Sequence, residues 1–254
     1  MTQMSDYLED EVIDHLLRAQ AYSPAATVYL ALFTTATTDS GGGTEATGGS
    51  YARQAITFSA GSTGTTANTA SLTFTNMPAG TFTHAAVCDA VSAGNFLFHG
   101  ALTASKTTTL GQAITVGIGE IDVSFTAGSN ATNYFRNLII DRFLRNQAHT
   151  PAATIYEATY TDATDRTGGG TESTGGSYAR QAFALDAAAS GVTQNTGVID
   201  FVNMPTADIT DAAVHNDPTA GDMMLFGTLN ATLSGVTAGD TVRFAAGAHT
   251  LTVR

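Results

Sequence analysis

Leu8, Val12, Ile13, Leu16 and Leu17 share one face at the 3.6-residue period of a helix. Ser5 or Asp6 stands ahead of them as a cap, with Glu9 three positions after Asp6, so a helix is predicted over residues 5–20. The pattern returns at Phe135, Leu138, Ile139, Phe143 and Leu144 behind Thr132 or Asn133, predicting a second helix over 131–146. Ser23-Pro24 ends the first, because proline and its predecessor resist helical geometry. Residues 27–34 are then apolar on both faces, as in a central strand. Their counterpart, 154–161, carries Glu157 and Thr159 in place of Leu30 and Leu32. Those two positions share a face in a strand, so one face is more polar there and the two strands are expected to sit in different surroundings. Alternation and turn residues predict further strands at 53–58, 71–74, 81–89, 95–102, 112–116 and 121–125. A second set is predicted at 180–185, 197–201, 209–215, 223–229, 241–244 and 249–253.

The two sets are copies. Gly41 to Ala55 (GGGTEATGGSYARQA) returns as Gly168 to Ala182 (GGGTESTGGSYARQA), an offset of 178 − 51 = 127 measured at Tyr51 and Tyr178. The same offset aligns Pro24 with Pro151, Asn76-Met77-Pro78 with Asn203-Met204-Pro205, and Gly100 with Gly227; beyond a one-residue insertion, Gly111 aligns with Gly239. A period this long is a domain and not a solenoid repeat. The chain therefore reads as two tandem domains, 1–127 and 128–254, joined through Gly128-Ser129-Asn130. Seven or so short strands behind one helix make each an all-β unit with a short N-terminal helix, and a β-sandwich or jelly-roll-like architecture is expected.

Composition narrows the function. Charged residues are 13% and the net charge is −12, with ten Lys and Arg in all, too few for a phosphate-binding surface, so no nucleic-acid partner is expected. The single cysteine, Cys88, excludes an internal disulfide. No apolar run approaches the roughly 20 residues of a membrane span, and the acidic start is unlike a signal peptide. A soluble protein without membrane contact and without Sec-type export is expected.

Candidate chemistry is sparse. The glycine loop has no Lys for a phosphate, and Glu45 and Glu172 would repel one. The spacing is not that of a calcium loop. The alternation Tyr51-x-Arg53, repeated as Tyr178-x-Arg180, puts both side chains on one face, where the Arg is placed to bond the Glu or loop carbonyls. Two readings follow: a structural pin holding a glycine-rich connection, or a tip that binds a partner. None of His15, His84, His99, His149, His215 and His249 aligns with another histidine, and Cys88 aligns with His215. A buried strand thiol is the expectation for Cys88, against a hydrolase built with His84 or His99. No catalytic residue, metal or cofactor is expected.

The first helix, the stretch SPAATVYLALFT, the loop DSGGGTEATGGSYARQA and the later FLFHGAL resemble small tailed-phage virion structural proteins of the tail-fibre-like or head-decoration group. The resemblance covers copy one nearly end to end and copy two more loosely. It implies a non-enzymatic virion protein made in the host cytoplasm, here duplicated. The first expectation is a capsid decoration protein partnered by the major capsid protein. The alternative is a tail-fibre or head-fibre module that binds a receptor or glycan. The helices add an expectation of their own. The first carries Asp6, Glu9, Asp10, Glu11 and Asp14 against Arg18; the second carries Arg136, Arg142 and Arg145 against Asp141. Either both are solvated faces that have drifted, or unlike copies are complementary within a chain or between neighbours. In the latter case three chains close a homotrimeric ring through Asp10, Glu11, Asp14, Arg136, Arg142 and Arg145.

Overall fold

The computed structural model describes residue 1, residues 3–125 and residues 130–253. Gly128 and Ser129 of the predicted connector lie outside the described residues.

Each copy opens on its helix. Ahead of the first runs β1 (Gln3–Met4). Helix α1 (Asp6–Val12) starts where Ser5 Oγ accepts from the Leu8 N–H at 3.2 Å, with Asp6 and Glu9 in its first turn, where acidic side chains suit the helix dipole. The predicted helix does not continue as α to residue 20. It widens into a π-helical turn, Ile13–Leu17, in which the Arg18 N–H reaches Ile13 O at 3.1 Å, and it stops at Ala19 with φ +53°. The second helix repeats the whole device. Thr132 Oγ1 accepts from the Phe135 N–H at 3.2 Å, α2 spans Asn133–Ile139, the π turn is Ile140–Leu144, and Asn146 has φ +51°.

The rest is strand. In copy one these are β2 (Val28–Phe33), β3 (Gln54–Ile56), β4 (Thr65–Ala67), β5 (Leu72–Phe74), β6 (Gly80–Cys88), β7 (Phe96–Thr108), β8 (Ile114–Val116) and β9 (Asp122–Ser124). Copy two has β10 (Ile155–Tyr160), β11 (Gln181–Phe183), β12 (Val192–Gln194), β13 (Ile199–Phe201), β14 (Ala207–His215), β15 (Met223–Val236), β16 (Val242–Phe244) and β17 (Thr250–Thr252). The main sheets have the orders β1-β7-β6-β2-β3 and β11-β10-β14-β15, and the Ala131↔Leu225 bridge stands where β1 pairs in copy one. Two small ladders accompany each, β4–β9 with β5–β8 and β12–β17 with β13–β16. All the strand pairings among the described residues are antiparallel. The chain is thus all-β with a short helix leading each repeat. The Thr-rich β4 and the polar ends of β7 and β15, beyond Leu102 and Leu229, were not expected as strands. They carry little apolar signal and are fixed by their partners β9, β6 and β14.

Buried residues explain why β2 is apolar on both faces. Val28, Leu30 and Leu32 enter the main core, while Ala31 and Phe33 meet Ala86, Cys88 and Phe96 on the other side. That main core is continuous across both copies, running from Met4, Leu8 and Phe74 to Phe135, Phe143, Ile155, Leu225 and Val253. The far end of copy two is set apart: Ile199, Phe201, Met204, Ile209, Val236 and Val242 form their own cluster, whereas the counterparts of all but Val236, namely Leu72, Phe74, Met77, Phe82 and Ile114, belong to the main core. Glu157 and Thr159, both fully buried where copy one has Leu30 and Leu32, interrupt apolar continuity there.

Candidate functional site

Three arrangements of polar side chains stand out, and the first is the glycine loop. After β2 the chain turns back so that Glu45 bridges Phe33 and the Ala46 N–H donates to Leu32 O at 2.8 Å. Arg53 grips Glu45 with both arms, Nε to Oε1 at 2.9 Å and Nη2 to Oε2 at 2.8 Å. Its Nη1 donates to the carbonyls of Ala90 (2.9 Å) and Ala93 (2.6 Å) in the β6–β7 connection. Tyr51 donates its hydroxyl to Glu45 Oε1 at 2.9 Å and accepts the Leu32 N–H at 3.0 Å. In copy two Arg180, Glu172 and Tyr178 repeat every one of these bonds, Arg180 Nη1 reaching the carbonyls of Asp217 and Ala220. Burial first, and Glu45 or Glu172 beside it, push each tyrosine hydroxyl well above its ordinary range, so it stays a donor.

The glycines of the motif have a defined place. Gly49 has φ +60°, and a Cβ there would lie 2.1 Å from Asn76 O. The following Ser50 N–H donates to that same carbonyl at 2.9 Å, and Asn76 Nδ2 donates to Ser50 Oγ at 2.7 Å. This explains why Gly-Gly-Ser and Asn-Met-Pro both recur: they lock together, as do Gly176, Ser177 and Asn203. The loop therefore ties two other connections to the edge of the main sheet.

The second arrangement joins the copies. Asp10 Oδ1 accepts the Gly191 N–H at 2.8 Å, Asp14 Oδ1 accepts the Ala188 N–H at 3.2 Å, and Arg18 Nε donates to Leu185 O at 3.1 Å. Reciprocally, Asn137 Oδ1 accepts from Gly64, Asp141 Oδ1 from Gly61, and Arg145 Nε donates to Phe58 O. Each pair differs by 127, so the contacts obey an approximate two-fold relation within one chain. At its centre His15 meets its own counterpart: Arg142 Nε donates to His15 Nε2 at 3.1 Å, while His15 Nδ1 lies 2.8 Å from Gln20 O. Arg142 also donates to Tyr22 O, and the rings of Tyr22 and Phe143 pack 4.9 Å apart. Burial and Arg142 keep His15 below its ordinary pKa and so neutral, as acceptance from a guanidinium requires.

Asp10, Asp14, Arg142 and Arg145, named from the sequence as assembly contacts, thus have bonds inside the chain. The acidic helix does not face the basic one charge to charge; its carboxylates take backbone N–H groups. Glu11 lies among Asp10, Asp14 and Tyr7, and burial raises its carboxyl. Arg136 is buried against Gly64, where an added Cβ would come 2.6 Å from its Cδ.

The third arrangement was missed. Glu157 Oε1 lies 2.9 Å from His249 Nδ1, and the pair faces a cleft of about 750 Å³ between the copies. The sequence carries a signal for it: Glu157 aligns with Leu30 and His249 with Ile121, two apolar-to-polar exchanges 92 residues apart with nothing local to join them. Elsewhere, Cys88 is buried with its thiol pushed up to about 12 by burial, and His99 bonds Thr37 and Asp39 instead of the thiol. Among the described residues no group of three or more His, Cys, Asp or Glu side chains is placed to hold a metal ion, and no helix is long and apolar enough to cross a membrane.

A family model described as "Podophage GP4 fiber I protein gp80" matches the chain twice, over residues 3–124 and 130–252. No curated protein matches it. The two matched stretches cover nearly the whole sequence and coincide with the internal repeat.

Proposed function

The chain belongs to the family of the podophage GP4 fiber I protein gp80, as a tandem duplication, and from this we propose that it is a non-enzymatic module of a phage fibre. Membership makes it a virion-associated structural protein of a tailed phage. The finer reading rests on one observation, the fibre description of a family matched in both copies. It favours the fibre over the capsid decoration role expected first from the sequence. The build is consistent with such a part. A core shared by the copies, helix caps tied to the sheets and doubly pinned loops make one stiff body. Homotrimeric assembly, in this reading, uses surfaces other than the cross-copy helix contacts, since Asp10, Asp14, Arg142 and Arg145 already have partners within the chain.

Electron microscopy of intact particles labelled with antibody against this chain tests the proposal. Label on an appendage is expected. Label spread over the shell, in contact with the major capsid protein, would replace the fibre reading with decoration.

A further inference from the structure

Among the described residues five large apolar side chains stand exposed, and two of them, Val198 and Val202, share one face of one strand. Burial alternates along that stretch. Ile199 and Phe201 enter the separate apolar cluster of copy two, while Val198 (54% exposed), Asp200 and Val202 (53%) face outward. Strand β16 sets Arg243 opposite Asp200, and continuing that register by one residue sets Ala245 beside Val198 and Thr241 beside Val202. The outer face of the ladder is therefore Val-Asp-Val on β13 against Ala-Arg-Thr on β16.

The fold does not call for such a face. Copy one has Ser71, Thr73 and Thr75 at the positions of Val198, Asp200 and Val202, and there the Thr73 and Thr115 hydroxyls meet at 3.2 Å where copy two has its ion pair. A lone exposed valine needs no explanation, but two valines framing an ion pair on one face make a patch. The ion pair also has an unused end. Arg243 donates Nε to Asp200 Oδ1 and Nη2 to Oδ2, both at 2.7 Å, and among the described residues its Nη1 has no partner. The Arg243 side chain is 64% exposed, so that end faces outward. Charge selects the partner. The chain carries −12, so a second copy is repelled by most of its surface, whereas the charges of this patch cancel.

We propose that this face pairs with the same face of a second copy of the chain, about a two-fold axis running along the strands between β13 and β16. That operation lays β13 of one chain over β16 of the other. The Nη1 end of Arg243 then meets the Asp200 carboxylate of the second copy, and the exchange is made twice. Val198 falls on Ala245 and Val202 on Thr241, each larger side chain on a smaller one. A two-fold axis across the strands would instead set Asp200 against its own counterpart, which charge opposes. A face this small buries less than the roughly 1,200 Å² of a standard interface, so free chains pair weakly, with a Kd on the order of 0.1 mM. The contact joins chains in pairs and stands independently of the fibre reading.

The test is sedimentation equilibrium of the full chain from about 0.01 to about 1 mM, with NMR of labelled valine methyls over the same range. Association is expected, with the Val198 and Val202 signals moving as the concentration rises. The double variant Val198→Ser with Val202→Thr installs the residues that copy one has there, so it should stay folded and associate at least about ten-fold more weakly. Charge supplies a sharper arm. Asp200→Arg alone and Arg243→Asp alone should each abolish the association, because each puts like charges on both facing strands. An equimolar mixture of those two variants should associate again, since the doubled charges of one match those of the other. The proposal is overturned if the chain shows no association up to about 1 mM. It is also overturned if the association, in pairs or larger, is unchanged in the valine variant or in either single charge variant. A mixture of the two charge variants that stays dissociated, with both folded by circular dichroism, overturns it as well.

Discussion

Replacing Arg53 with Ala removes four hydrogen bonds, two to the Glu45 carboxylate and two to the carbonyls of Ala90 and Ala93. The Arg53 side chain is only 8% exposed, but Glu45 is 27% exposed and can recover water once its partner is gone. Its charged bonds therefore count near the low end, about 1.5 kcal/mol together, and the two carbonyls at the rim add about 0.5 kcal/mol each. The expected loss is about 2–3 kcal/mol. The core is continuous between the copies, so one unfolding transition is expected, and for a chain of this size the loss lowers Tm by about 5–10 °C. Scanning calorimetry reads this directly. Arg53→Lys should recover less than half, because an ammonium cannot reproduce the two-armed grip. The Arg180 clamp has the same bonds at matching distances, so Arg180→Ala should cost about as much. The decisive measurement is a double-mutant cycle of Arg53→Ala with Glu45→Gln, in which a coupling of at least about 1 kcal/mol is expected. A Tm within about 1 °C of the wild type, or a coupling near zero, would refute the clamp as a stabilising unit. Lost particle binding at unchanged Tm would make the loop a docking tip instead.

Two further outcomes are expected. Residues 1–127 expressed alone should fold as a two-fold dimer, since Asp10, Asp14 and Arg18 can take the backbone groups of Gly64, Gly61 and Phe58 in a second copy just as Asn137, Asp141 and Arg145 do here; analytical ultracentrifugation showing a folded monomer would contradict the shared interface. His215 is held down to about 4, first by burial and then by Arg180, so its neutral form is the folded one. The unfolded chain binds its proton near 6.5, so this contribution is complete above that pH and is lost as the pH falls toward 4, up to about 3 kcal/mol. In urea unfolding, His215→Cys, the residue copy one has there, should close on the wild type by about 2 kcal/mol between pH 7 and 4.5; an unchanged gap would refute the assignment.

The sequence by itself determined the repeat, the two helices with their caps, the central strands and the Glu-Tyr-Arg loops. All of these are local patterns, and the 127-residue offset reports them twice. Hydrophobic periodicity marks Leu8 to Leu17 as one face and Ser5 or Asp6 as the cap because both signals lie within a few residues of each other; the structure settles on Ser5. What covers that face is a matter of the tertiary structure. The Asp10–Gly191 and Asp14–Ala188 bonds span more than 170 residues and end on backbone N–H groups, which carry no side-chain signature. Charge counting therefore leaves solvated faces, contacts within the chain and contacts between chains all open, and the fold turns these carboxylates onto backbone N–H groups of the other copy. The strands β4 and β12 likewise depend on partners at the far end of each repeat, and their threonines carry little apolar signal. Glu157 alone read as a change of surroundings; only the fold places His249 against it, 92 residues later, and turns two exchanges into one pair in a cleft. Contacts this remote depend on how the two copies pack, and that is settled by the shared core and not by any segment of it.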